Sequence, residues 1–218
     1  MTTKTYGQYC GVARALELVG ERWALLIVRD LLVGPKRYTD LRSGLPKIPT
    51  NVLATRLKEL ESAGLVERHV QPRPSGAIVY ELTPYGLDLE PVVLALGRWG
   101  ARSLGELRPG EIATADSLVM ALRSTYHPPK RGTGKLAYEL RFGDIVVHAL
   151  SSGPTLTAAP GPFPEPTPAT VVVVEAMAPL TPLLTGAIDG AKARADGIVG
   201  RQASAADLDV FATIFQIN

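Results

Sequence analysis

Apolar residues recur at helical spacing through the first third of the chain, punctuated by Gly and Pro. Val12, Leu16 and Val19 lie three or four apart and Gly20 follows, which predicts a helix over Val12–Gly20. Trp23, Leu26, Ile27 and Leu31 predict a second over Glu21–Val33, broken by Gly34-Pro35. A short helix Tyr38–Arg42 ends in Ser43-Gly44, and Pro49-Thr50 opens a helix Asn51–Ala63 closed by Gly64. The period then changes. Leu65–Val70 and Ala77–Leu82 are β-rich runs joined by the polar stretch Gln71–Gly76, which reads as a hairpin. Thr83 with Pro84 opens a helix running to about Leu104.

That last helix is apolar on more than one side. Leu89, Val92, Val93, Leu96 and Trp99 form a stripe, and Leu87 and Leu94 lie off it. One face packs on its own domain, so the other meets either a second subunit or the C-terminal half of the chain. A dimer interface of this kind would use Leu89, Val93, Leu96 and Trp99, with Val12 and Leu16 of the first helix.

Beyond Leu107-Arg108-Pro109-Gly110 the pattern shifts, which predicts domains over 1–108 and 111–218. A helix Asp116–Ser124 precedes Leu136, Tyr138, Leu140 and Phe142, which alternate with Ala137, Glu139 and Arg141 as a strand does. Gly143-Asp144 turns this strand into Ile145–Leu150, and Thr155–Ala158 reads as a third. A Pro-rich loop over Pro160–Pro168 leads to Thr170–Glu175, a Val-rich run expected to be a central strand. Pro179–Ile188 reads as a helix, and Ser204 with Asp207 forms a capping box for the last one, ending at Phe215. The fold class is α+β.

Composition alters this picture only a little. The 218 residues carry no apolar run of membrane length and no leader-like start, and the one cysteine, Cys10, cannot close a disulfide within the chain. A cytoplasmic protein with no membrane association is the expectation. The net charge of +2 divides into +4 over residues 1–108 and −2 over the remainder, with ten basic against five acidic residues between Arg22 and Arg73. Such an excess suits a polyanionic partner or an ordinary solvated surface.

The helix Asn51–Ala63 separates these alternatives. Leu53, Leu57 and Leu60 share its core face, while Asn51, Thr55, Lys58 and Ser62 share the opposite one. Asn pairs with adenine, Thr offers a hydroxyl or methyl, and Lys reads guanine or holds phosphate. Arg56 flanks this face, Arg73 and Ser75 sit on the hairpin tip, and Lys36 and Arg37 stand ahead of the short helix as phosphate contacts.

Several segments resemble the HxlR-type regulators: Cys10–Leu32, Gly34–Leu41, Val52–Glu61, Ala63–Arg68 and Tyr80–Gly86. The resemblance implies a winged helix-turn-helix protein from a prokaryote that binds duplex DNA as a homodimer on a roughly palindromic operator. By position it places Thr50, Asn51, Val52, Thr55 and Arg56 at the DNA. A common family pattern has Ser where this chain has Pro49-Thr50, and Thr50 is expected to cap in its place. Some proteins of this family use a cysteine at the position of Cys10 as a redox switch, and Arg14, one turn on, would favour its thiolate; the alternative is an inert cysteine packed near the dimer axis. Residues 111–218 resemble sterol-carrier-like domains through Leu183-Leu-Thr-Gly-Ala-Ile, Gly197-Ile-Val-Gly and the element order. That resemblance implies a fold that shelters an apolar small-molecule effector between sheet and helices. The strand face with Tyr138, Leu140 and Phe142, opposite helices carrying Met120, Leu184, Phe211 and Phe215, and with His148 on the hairpin, would line such a pocket or form an ordinary closed core.

Neither a catalytic set nor metal-ligand spacing occurs, so neither enzyme activity, metal nor cofactor is expected. Three readings follow. The chain is a ligand-responsive regulator, a carrier of hydrophobic molecules whose N-terminal half serves only to dimerise, or a protein that acts on transcription through another protein.

Overall fold

Leu53, Leu57 and Leu60 are almost wholly buried, as their spacing predicts, and the N-terminal core is built around them. The computed structural model describes residues 5–72, 74–130, 134–164 and 171–217. It divides into two compact units, Met1–Val93 and Leu94–Asn218.

The first unit runs α1 (Gly11–Val19), α2 (Ala24–Leu31), α3 (Tyr38–Gly44), α4 (Thr50–Ser62), the hairpin β1 (Val66–Val70) and β2 (Ile78–Leu82), and α5 (Pro84–Leu87). Ile27, Val28 and Leu31 of α2, Leu41 of α3, and Val66, Val79 and Leu82 of the hairpin are buried in the same unit. Each such burial is worth about 1.5–3 kcal/mol. Gly64, left-handed at φ +70, turns the chain out of α4 into the hairpin. Gly86 is required by proximity, because a Cβ there would stand 2.1 Å from the Leu65 carbonyl oxygen.

Two local expectations change. Trp23 was expected within α2, but the helix starts at Ala24 and Trp23 precedes it with φ +82. A bulky residue held there stores about 1–3 kcal/mol of strain. The buried stripe of α2 is therefore Ala24, Ile27, Val28 and Leu31, and Leu26 is exposed. At α4, Pro49 rather than Thr50 is the cap residue, with no side-chain hydrogen bond, and Thr50 is the first helical residue.

The helix expected from Pro84 to Leu104 is two helices, α5 and α6 (Glu90–Ala101). Thr83 caps the first, accepting from the Gly86 N–H at 3.1 Å. Pro91 explains the break: it has no N–H to give the Leu87 carbonyl, and its ring crowds that carbonyl. The chain turns at Asp88 and resumes one residue before the proline.

The second unit contains α7 (Ala115–Thr125), β3 (Leu136–Phe142), β4 (Ile145–Ser152), β5 (Thr155–Pro160), β6 (Val171–Ala176), α8 (Thr181–Leu184), α9 (Gly190–Ala195) and α10 (Ala205–Ile214). The four strands form one sheet in the order β5-β4-β3-β6, with β6 parallel to β3. β6, expected to be central, is an edge strand. The hairpins occupy the other positions, and among the described residues the far side of β6 meets the Ala176–Val199 bridge and a Gly200 N–H to Glu175 carbonyl bond of 2.8 Å. The helix expected over Pro179–Ile188 stops at Leu184 and the chain turns through left-handed Gly186. A further helix, α9, is capped by Asp189, whose carboxylate accepts from the Lys192 N–H at 2.7 Å. α10 opens on the capping box of Ser204 and Asp207 that the sequence contains.

Candidate nucleic-acid interface

Asn51, Thr55, Lys58 and Ser62 are all exposed on one face of α4, opposite its buried leucines. The Thr55 hydroxyl donates to the Asn51 carbonyl at 2.8 Å and the Ser62 hydroxyl to that of Lys58 at 2.8 Å. These back-bonds occupy the hydroxyl protons and leave the oxygens free to accept. The Asn51 amide and the Lys58 ammonium supply the donors. Thr50 is exposed at the helix start, its carbonyl accepting from the Tyr38 hydroxyl at 2.8 Å, and Val52 is half-buried beside it.

Arg56, expected to flank the DNA face, is engaged within the protein. Its side chain is 15% exposed, Nη2 lies 3.0 Å from Glu21 Oε2, and Nη1 is paired with Glu59. The guanidinium ties α4 to the segment ahead of α2, and two carboxylates offset its charge. The cause is position: Arg56 sits one residue before core Leu57, on the flank that faces Glu21.

The hairpin is braced from outside. Lys36 and Tyr80 exchange both backbone hydrogen bonds, at 3.0 and 2.7 Å, which extends the ladder by one bridge. The next side chain, Arg37, donates from Nη2 to the Ser75 hydroxyl at 3.3 Å, and Ser75 donates to Gln71 Oε1 at 3.0 Å. Lys36, Arg37 and Ser75, far apart in sequence, thus converge at the hairpin. Arg73, the other tip residue expected at the DNA, lies outside the described residues.

Residues that the sequence reading passed over complete the surface. Arg22, Trp23 and Lys47, with Pro49, Val52 and Arg56, line an open cleft of about 370 Å³ beside the start of α4. The Arg22 guanidinium lies over the Trp23 ring, 5.2 Å from its centroid. The signal was an Arg-Trp pair directly ahead of a helix, which the helical spacing of Trp23 disguised as core.

Known proteins carry the same pattern. The profile of the HxlR-like helix-turn-helix family matches residues 18–107. The HTH-type transcriptional regulator YodB of Bacillus subtilis is 40% identical over 85 residues, 39% of this chain and 76% of the relative. The chain belongs to the HxlR-like family. A second Bacillus subtilis regulator, YdeP, is 34% identical over 93 residues, 43% of this chain and 73% of its own. A solved structure of the redox regulator HypR in its oxidized form is 32% identical, covers 44% of this chain and 99% of its own, and has a TM-score of 0.41. The HxlR-like protein described here is a DNA-binding transcription regulator, and the reading as a carrier with a merely dimerising N-terminal half is set aside, because the relatives are transcription regulators.

In this HxlR-like regulator the side chains expected at a dimer interface are uncovered to differing degrees. Val12 is 69% and Trp99 71% exposed, Leu16 and Leu96 are exposed, and Leu89 and Val93 are half-buried. Cys10 is exposed at the cap of α1. The N–H groups of Ala13 and then Val12 hold its thiol below the ordinary cysteine range. Arg14, expected to do this, is paired with Glu17 at 2.7 Å instead.

The apolar residues expected to hold an effector fall into two groups. Met120, Tyr138, Leu140, Phe211 and Phe215 are buried, and the rings of Tyr138, Phe211 and Phe215 pack with centroids 4.8–5.8 Å apart. Burial, with a contribution from the Asp207 charge, pushes the Tyr138 hydroxyl up to about 12. Phe142, His148 and Leu184 are half-buried, and His148 Nδ1 lies 3.0 Å from the Gly161 carbonyl. Among the described residues no helix is long and apolar enough to cross a membrane, and no group of three or more His, Cys, Asp or Glu is arranged to hold a metal ion.

Proposed function

We propose that this regulator binds its operator as a homodimer, with the N-terminal half of α4 in the major groove and the β1–β2 hairpin on the adjacent backbone. Asn51, Thr55 and Lys58 meet base edges, while Lys36, Arg37, Ser75 and Arg73 hold phosphate or sugar. The carrying observation is the face Asn51, Thr55, Lys58 and Ser62, exposed opposite three buried leucines. Two copies pair through the uncovered apolar residues of α1 and α6, which sets the recognition helices about one DNA turn apart, roughly 34–36 Å. Cys10, exposed and shifted toward thiolate, is the residue through which an oxidant would act on the dimer.

Operator titrations test the assignment. Asn51→Ala is expected to cost about 1–3 kcal/mol against one base pair and to relax preference there alone. Arg73→Ala, which removes a phosphate contact, weakens all sequences more evenly. Equal and negligible losses in both would reassign the recognition element.

A further inference from the structure

We propose that the cleft at the start of α4 binds a small aromatic carboxylate, and that its occupant competes with operator DNA. The competition rests on the α4 reading above; the binding does not.

The lining specifies the ligand. Trp23, Pro49 and Val52 give apolar walls, and Arg22, Lys47 and Arg56 bring cations to the same space. A bare phosphate would use the cations and waste the walls; a neutral hydrocarbon would do the reverse. A planar ring bearing one carboxylate uses both. The volume, about 370 Å³, falls within the roughly 300–1,000 Å³ usual for small-molecule sites.

The charges point to a single negative group. Glu21 and Glu59 already take up Arg56, whereas no carboxylate pairs with Arg22 or Lys47 among the described residues. Arg22 lies over the indole, an arrangement that can hold a carboxylate at the edge of a ring resting on Trp23. The backbone supports the same conclusion. Trp23 is held at φ +82, the one non-glycine residue in the left-handed region among those described, and its ring borders the cleft instead of entering the α2 stripe. Strain of this kind persists where the surrounding structure over-determines it, and ligand clamps are one such place.

The position specifies the consequence. Val52 and Arg56 alternate along α4 with Asn51 and Thr55, so an occupant sits against the element that must approach DNA. It brings negative charge and bulk to that edge and screens Arg22 and Lys47 from phosphate.

The test is calorimetric titration of the full chain with naphthoate, with naphthalenemethanol as the neutral control, followed by operator titration with and without naphthoate. Saturable naphthoate binding is expected, at least about tenfold weaker for the alcohol and for the double variant R22Q/K47Q. Saturating naphthoate should weaken operator binding about tenfold. Both substituted side chains are exposed, and W23F supplies a second variant that keeps the cations but changes the wall. No saturation at millimolar naphthoate would overturn the proposal, as would undiminished binding by R22Q/K47Q and W23F, or unchanged operator affinity with naphthoate bound. If R22Q/K47Q loses operator affinity and naphthoate never binds, the cleft seats a DNA phosphate and the proposal is wrong. A protein that fails to bind operator even without naphthoate indicts the α4 reading instead.

Discussion

Replacing Arg56 by methionine separates two roles that the sequence could not. Methionine keeps an apolar stem of similar length and removes the guanidinium. In the structure this deletes the pairs with Glu21 and Glu59, whose side chains are 39% and 44% exposed. Each partner can regain water, so neither is left as the buried orphan charge that costs 3–5 kcal/mol. Pairs exposed to this degree are worth about 0.2–1 kcal/mol each. Two of them, with some loss of packing, give an expected destabilisation of about 1–2 kcal/mol, read as a lower urea midpoint. A double-mutant cycle with Glu21→Gln should return a coupling within the single-pair range. Operator binding measured across salt concentrations gives the second readout. A residue that neutralises a phosphate contributes about one to the salt slope, and a tether contributes none. Arg56→Met should therefore leave the slope unchanged. A slope reduced by about one with the urea midpoint unmoved would refute the tether and return Arg56 to the DNA.

The other expectations follow from exposure, packing and the local field. Because helix N–H groups lower the Cys10 pKa, its thiolate forms at lower pH than an ordinary cysteine's. Iodoacetamide reaction should rise with pH to a plateau whose midpoint lies below that of the urea-unfolded chain; an equal or higher midpoint contradicts this. Leu96→Asp with Trp99→Ser places charge on the uncovered face of α6 and should shift light scattering from dimer toward monomer, with α-helical signal retained. A dimer unaffected by both changes places the interface elsewhere. Phe211→Ala removes a ring packed between Tyr138 and Phe215 and should cost about 3–5 kcal/mol in the second unit. Benzene should stabilise that variant and not the parent; stabilisation of the parent would show that the interior accepts apolar ligands as it stands.

Where spacing alone sets structure, the sequence was sufficient. Leu53, Leu57 and Leu60 declare the inner face of α4, and with it the outer one, because no other helical phase buries all three. Gly143-Asp144 between alternating runs, and Ser204 with Asp207, acted through local hydrogen bonds and turned out where the residues placed them. Periodicity failed where one residue overrode it. Pro91 sits inside an otherwise continuous apolar stripe and divides a helix that the stripe alone would carry through. The apolarity of Val171–Val174 suggested a central strand, yet chain order gave the inner places to the hairpin strands and left β6 the edge.

The functional surface was harder to read for a related reason: its parts are assembled by tertiary contacts that carry no period. Arg37 reaches Ser75 across 38 positions, and Arg56 reaches Glu21 across 35. A list of exposed cations ranks Arg56 with Lys58, two residues away, because the sequence does not record which has a carboxylate waiting. The opposite error concerns Trp23, whose aromatic character and helical spacing both said core. Its left-handed backbone instead turns the indole to border the cleft beside Arg22 and Lys47, ahead of α4. In a winged helix the leucines that orient the recognition helix are fixed by pattern, while the charges around it are divided between holding that helix and presenting it. Which charge does which depends on the neighbours that folding supplies, so the pattern locates the recognition helix and only the contacts can apportion its arginines and lysines.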